Sequence, residues 1–145
     1  MPKSSSADIS GLEAIMDTLR EPGGCPWDRE QTLDTLLPYI IEEAYEVVSA
    51  IEGGDPADIK DELGDLLFQV VFISRLAKEK GDFNLSDVIN SSIEKMTRRH
   101  PHVFGEESAE TSDEVIKHWA KIKKEEDKNK KTEEGTLSSI PRTMP

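Results

Sequence analysis

The chain has 145 residues, a single cysteine and a formal net charge of −12, enough length for one domain with its own core. The charge excludes duplex nucleic acid and anionic membranes as natural partners, because phosphate surfaces repel an acidic protein, and a polyanionic ligand would need metal ions beside it. Lone Cys25 leaves no intrachain disulfide and no C-x-x-C metal or redox site, no apolar run is bilayer-length, and the start MPKSSSADIS lacks a secretory core, so the expectation is a soluble, cytoplasmic protein.

Residues 1–8 read as a disordered start. From 9 to 20 the run ISGLEAIMDTLR spaces Ile9, Leu12, Ile15, Met16 and Leu19 at three and four, which predicts an amphipathic helix. EPGGCPWD then breaks it into a loop. A long helix is expected from about Thr32 to Glu52, starting or bending at Pro38, and ended by Gly53 and Gly54. Asp55 and Pro56 read as N-cap and first residue of a second long helix that runs to a C-terminal cap at Gly81. Shorter helices fit Ser86 to Arg99, stopped by Pro101, and Ser112 to about Lys128, capped by Ser112 or Asp113. The charge-rich, apolar-poor residues 129–145 read as a linker-like tail. Strand-length alternation is absent from the sequence, so the predicted fold is all-α: a helical domain over 9–128, built as a bundle on a long antiparallel hairpin.

At about 100° per residue, the first hairpin helix places Leu36, Leu37, Ile40, Val47 and Ile51 on one apolar face, extended by Tyr39 and Ala50. Glu43 falls within that face, Glu46 at its border, and Glu42 toward the polar side. On the second, Ile59, Leu63, Leu66, Val70, Ile73 and Ala77 define the face, with Glu62 and Asp65 on its flank. Lys60, Asp61, Arg75, Lys78 and Glu79 form the opposite, solvated side. Val71 and Ile41 fall outside both faces, and such exposed apolar residues predict a paired, oligomeric protein.

Each hairpin helix therefore offers two acids at i, i+3: Glu43 with Glu46, and Glu62 with Asp65. Like charges so placed repel, and part-buried carboxylates must neutralise or find a cation. Neither stripe carries a lysine or arginine. Four carboxylates and no softer ligand suit Mg²⁺, with Mn²⁺ as a substitute, rather than zinc. Any one such pair alone is most simply a pair of surface acids; the matching of two pairs on adjacent helices favours the metal. A ferritin-like di-iron site requires Glu-x-x-His, and His100, His102 and His118 all lie outside the hairpin.

The order EEAYE then DELGD resembles the signature of the MazG family of nucleoside triphosphate pyrophosphohydrolases, as do GCPWDREQT, GDLLFQVVF and RRHPHVFG around it. The resemblance implies an all-α fold, assembly into homodimers or higher homo-oligomers, and Mg²⁺-dependent cleavage of NTP or dNTP to the monophosphate and pyrophosphate. It makes Glu43, Glu46, Glu62 and Asp65 the metal ligands. Some relatives carry two such domains in tandem, and SSIPRTMP resembles the segment that joins them, which implies the N-terminal half of a tandem protein.

Attack of water on the α-phosphorus needs a proton acceptor, and Glu46 and Glu42 are the candidate catalytic carboxylates. The K-x-x-R-R run Lys95, Arg98 and Arg99, with Trp119 and Lys123 in W-x-x-x-K, resembles the family's nucleotide-contacting set. The residue types suit phosphates and a base. Two readings stand for several of these residues: Lys95 and Arg99 bind phosphate or merely solvate a face, Trp119 stacks on a base or fills a core, and Trp27, with Gln31 beside it, closes over nucleotide or anchors its loop. Cys25 reads as a small buried residue, and His100 and His102 as turn or capping residues. Two other functions fit the same residues: a pyrimidine-selective dNTPase, and a non-catalytic half that dimerises or senses nucleotide.

Overall fold

The computed structural model describes residues 8–130, and all of its regular structure is helical. The expected disordered start, apart from Asp8, and the expected tail from residue 131 lie outside the described residues. No helix among those described is long and apolar enough to cross a membrane. The chain divides into two compact units between Val88 and Ile89.

In the first unit, α1 (Ile9–Arg20) begins on Asp8, whose carboxylate accepts the Ser10 and Gly11 N–H groups. This satisfies donors that have no partner in a first helical turn. Beyond it the chain turns back on itself. Gly23 has φ of 86°, and Gly24 sits so close to the end of α1 that a Cβ there would lie 2.2 Å from the Leu19 carbonyl oxygen. The Cys25 N–H donates to that same carbonyl at 2.9 Å. The loop expected at EPGGCPWD is therefore only partly a loop: Pro26 opens a short helix α2 (Pro26–Glu30), with half-buried Cys25 as its N-cap. Five residues are too few for apolar periodicity to reveal, and Pro at the first helical position was the available signal.

Helix α3 (Leu33–Gly53) starts from a Thr32/Thr35 capping box, ahead of Pro38, which it contains. Gly54 ends it at φ 80°, donating to Ala50. Asp55 accepts the Ala57 N–H at 3.0 Å to start α4 (Pro56–Lys80), which ends on Gly81 at φ 79°. Both glycines occupy the left-handed region where a side chain is strained.

Helix α3 packs on α4, α1 on α4, and α1 on α2. Met16, Leu36, Val71, Phe72, Leu76 and Leu85 form the core. Burying a side chain of this size contributes about 1.5–3 kcal/mol. The packed face of α4 differs from the one expected. Val71 is 1 % exposed, whereas Leu63 and Val70 are 49 % and 38 % exposed. On α3, Leu37 and Ile51 are likewise exposed, although Leu36 and Val47 are buried. The reason is α1. It covers the later turns of α4 from a second side, so Val71 and, one turn on, Arg75 face it instead of solvent.

Arg75 is accordingly part of a network rather than the solvated surface expected. Its guanidinium pairs with Asp17 of α1 and with Glu79 at 3.2 Å. Glu79 also accepts from Arg20 Nη2 at 2.6 Å and Nε at 2.9 Å. Arg20 holds the Glu79 carboxyl below its ordinary range, with Arg75 adding to the effect against partial burial. The hydrogen bonds to Asp17 and Glu79 raise Arg75 further despite its desolvation.

The start of α5 (Leu85–Arg99) belongs to the first unit, through core residue Leu85, and the remainder to the second. The second unit also holds α6 (Pro101–Phe104) and α7 (Ser112–Asn129). Helix α7 is capped by Thr111, one residue before the expected Ser112 and two before Asp113, through a bond from the Glu114 N–H. Glu126 of α7 joins both arginines of α5, accepting from Arg98 Nε at 2.7 Å and Arg99 Nη2 at 2.9 Å. Arg99 and then Arg98 hold the Glu126 carboxyl below its ordinary range.

Candidate functional site

The Gly53–Gly54 turn folds α3 back along α4, and Glu43 and the pair Glu62, Asp65 lie at nearly equal distances in sequence on either side of it. The i, i+3 spacing places Glu62 and Asp65 side by side on α4. One carboxylate oxygen from each of Glu43, Glu62 and Asp65 lies within 4.8 Å of the others, with Glu43 and Glu62 half-buried and Asp65 exposed. Two helices thus deliver three negative charges to one small volume.

The electrostatic consequence is a raised pKa at two of the three. Partial burial lifts Glu43 first, followed by repulsion from Asp65, Glu62, Glu42 and Glu46. Glu62 is lifted by desolvation, then by Glu46, Asp65, Asp61 and Asp58. All of these neighbours are acids. A divalent cation among the three oxygens would offset these repulsions, and an all-carboxylate donor set is the kind that hard cations take. The residues present therefore fit such a group.

Of the four acids expected as ligands, Glu46 is not within this close set. It is exposed, yet its charge is the largest single repulsion acting on Glu62. Exposed Glu42 acts on Glu43 in the same way. Trp27 and Gln31 lie on and just after α2. Trp27 is 47 % exposed and meets Tyr39 edge to face, centroids 5.6 Å apart. Gln31 Nε2 is engaged with the Trp27 carbonyl at 2.8 Å, so its amide stabilises its own turn.

Lys95, Arg98, Arg99, Trp119 and Lys123 belong to the second unit. Arg98 and Arg99 share Glu126, and Trp119 is half-buried with its ring edge to face with His100 at 5.5 Å. His100 occupies the N-cap position of α6, and its ring Nδ1 lies 2.5 Å from the Met96 carbonyl oxygen. Sequence reasoning gave no role to Arg20, nor to Asp28, which is 9 % exposed in α2. Arg20 and its partner Glu79 stand 59 residues apart, and no local spacing signals such a pair.

The model of the MazG nucleotide pyrophosphohydrolase domain matches residues 31–104, a span that contains all three clustered acids. A protein of Escherichia coli strain K12 named nucleoside triphosphate pyrophosphohydrolase is 49 % identical over 138 residues, covering 94 % of this chain and 52 % of its own length. A Thermotoga maritima protein named nucleoside triphosphate pyrophosphohydrolase/pyrophosphatase MazG is 47 % identical over 121 residues, 83 % of this chain and 46 % of its own. The chain thus spans about half the length of these curated relatives. The crystal structure of a mazG-related protein from Thermotoga maritima superposes with a TM-score of 0.66 at 31 % identity, covering 80 % of this chain and 99 % of that one. The chain belongs to the MazG nucleotide pyrophosphohydrolase domain family.

Proposed function

We propose that this chain hydrolyses nucleoside triphosphates, ribo- or deoxyribo-, to the monophosphate and pyrophosphate, using Mg²⁺ or, in its place, Mn²⁺. The observation that carries the reading is the meeting of Glu43, Glu62 and Asp65 oxygens from two helices within 4.8 Å. The names of the half-matched relatives support it. Glu43, Glu62 and Asp65 would hold the ion, with Glu46 as a further ligand. When bound, such an ion supplies charge neutralisation for the triphosphate and makes a nearby water more acidic.

The protein's own groups do the rest. Water adds to the α-phosphorus, the bond from that phosphorus to the bridging oxygen of the pyrophosphate breaks, and the water's proton passes to a carboxylate. Glu46 or Glu42 takes that proton, both being exposed and within a turn of Glu43. Lys95, Arg98, Arg99 and Lys123 are the cationic residues we assign to phosphates, and Trp119 and Trp27 the aromatic ones we assign to the base, with Gln31 beside Trp27. Exposed Leu37, Ile41, Tyr45 and Val48 on α3, and Leu63, Leu67 and Val70 on α4, support pairing into a homodimer or larger homo-oligomer.

The test is pyrophosphate release across the eight common NTPs and dNTPs plus dUTP, with Mg²⁺, for wild type and Glu43→Ala. Mg²⁺-dependent release that the substitution removes is the expected result, and activity confined to pyrimidine deoxynucleotides would narrow the substrate class. The match to only half of each curated relative favours a second reading, a non-catalytic half that dimerises or senses nucleotide. Equal background release from both proteins would replace the first reading with that one.

A further inference from the structure

Helix α2 is five residues long and has no side-chain hydrogen bond at its N-cap, so it has little stability of its own. Its place is set from outside. Gly24 lets the chain press against the end of α1, and Arg20, the last residue of α1, reaches the C-terminal end of α2. The Arg20 side chain is only 9 % exposed. Its Nη1 donates to the carbonyls of Asp28 at 2.6 Å and Gln31 at 3.3 Å, while Nε and Nη2 grip both oxygens of Glu79. Those bonds use nearly all of a guanidinium's five N–H groups. The two carbonyls belong to the end of α2, where helical acceptors lack partners within the helix. One cation therefore caps α2 and bolts it to α4.

What α2 carries outward is Trp27. It leans edge-on against Tyr39 and leaves about half its surface open. Tyr39 and Glu43 occupy successive turns of the same face of α3. An indole packed on Tyr39, itself one helical turn from Glu43, partly exposed and fixed at one edge, is suited to a flat aromatic ring. The base is the one such ring in a nucleoside triphosphate.

We propose that Arg20 is a positioning residue: by tying α2 to Glu79 it holds Trp27 beside the Glu43 face of α3, where the indole meets the base of the nucleotide. The assignment rests on the hydrolase reading above and deepens it. Arg20 touches neither the cluster nor the substrate, so its effect must pass through Trp27. Lysine cannot replace it fully, since an ammonium cannot serve a carboxylate on one side and two carbonyls on the other in a fixed plane.

The experiment compares wild type, Arg20→Met, Arg20→Lys, Trp27→Ala and the Arg20→Met/Trp27→Ala double variant, with Arg75→Met as a control that disrupts the same network without touching α2. KM, kcat and the Mg²⁺ midpoint are read by pyrophosphate release, and Trp27 is followed by fluorine NMR of 5-fluorotryptophan-labelled protein. Arg20→Met should raise KM about tenfold, the loss expected when an aromatic ring no longer stacks on a base, with kcat and the Mg²⁺ midpoint within about twofold of wild type. Arg20→Lys should fall between, and the double variant should match Trp27→Ala, as residues acting through one another do. The Trp27 resonance should move toward that of free tryptophan in Arg20→Met and stay in place in Arg75→Met. Additive KM effects, an equal KM rise in Arg75→Met, or an unmoved resonance in Arg20→Met would each overturn the proposal. Should wild type release no pyrophosphate, the hydrolase reading fails alone; the resonance then decides whether Arg20 holds Trp27. If Arg20→Met does not fold, Arg20→Lys carries the same readouts.

Discussion

Near its start, α4 presents Glu62 and Asp65 to Glu43 of α3; about 20 Å further along, at 1.5 Å per residue, it presents Glu79 to Arg20 and Arg75. The side chains are of one kind and their settings are opposite. At the far end alternating charges, Asp17, Arg75, Glu79 and Arg20, satisfy one another, and the Glu79 carboxyl is held below its ordinary range. At the near end acids face acids, and Glu43 and Glu62 are pushed above it. A fold that can neutralise its carboxylates in one place and leaves them mutually repelling in another stores, at the second place, affinity for a cation that it does not itself supply. Packing explains the first group; the second has the donor set that a hard divalent cation takes.

The sharpest way to break the comparison is to remove one charge from the near end. Glu62→Gln should lower kcat roughly a thousandfold, the several kcal/mol that a correctly held metal contributes to a transition state. The same substitution should raise Tm in EDTA, because it relieves repulsion. A loss of both activity and metal-free stability would make Glu62 an ordinary structural acid. Removing one charge from the far end should do the reverse. Glu79→Gln should cost about 1 kcal/mol of stability, kept small because the pair is partly solvent-screened, and leave kcat within about twofold, as chemical denaturation and steady-state kinetics would show.

The smallest effect is a difference in pH response. Glu79 and Glu126 have lowered pKa values, so their contribution to stability is present above the ordinary value of 4.5 and is lost as pH falls below it toward their folded values. Glu43 and Glu62 have raised values. In the metal-free protein their ionisation costs stability, fully so above their folded values and not at all below 4.5. Melting curves against pH should therefore show the Mg²⁺-induced gain shrinking as pH falls toward 4.5, where protons take the cation's place. A gain that stays constant through that range would separate the metal from these two acids.

Much of this was legible in the sequence because it is written locally. Gly53, Gly54, Asp55, Pro56 and Gly81 mark the hairpin by turn and cap chemistry alone, and two i, i+3 acid pairs on its two helices follow once the hairpin is drawn. The far end of α4 was not legible. Helical periodicity says which residues share a face but not which face meets a neighbour, so Val71 and Arg75 were assigned to solvent although α1 covers them. Arg20 and Glu79 meet across 59 residues, and α2 was hidden by its brevity. Leu63 and Val70 show the converse: the sequence pattern put them on the packing face, and the chain leaves them uncovered.

The claim on which the rest depends is that Glu43, Glu62 and Asp65 hold a divalent cation together. Electron paramagnetic resonance of Mn²⁺ titrated with the 145-residue chain reads it directly, since the signal of the free ion falls as it binds. Wild type should deplete that signal saturably, Mg²⁺ should restore it by competition, and Glu62→Gln should weaken binding at least about tenfold. Identical titrations for the two proteins, or no depletion in either, would contradict the account.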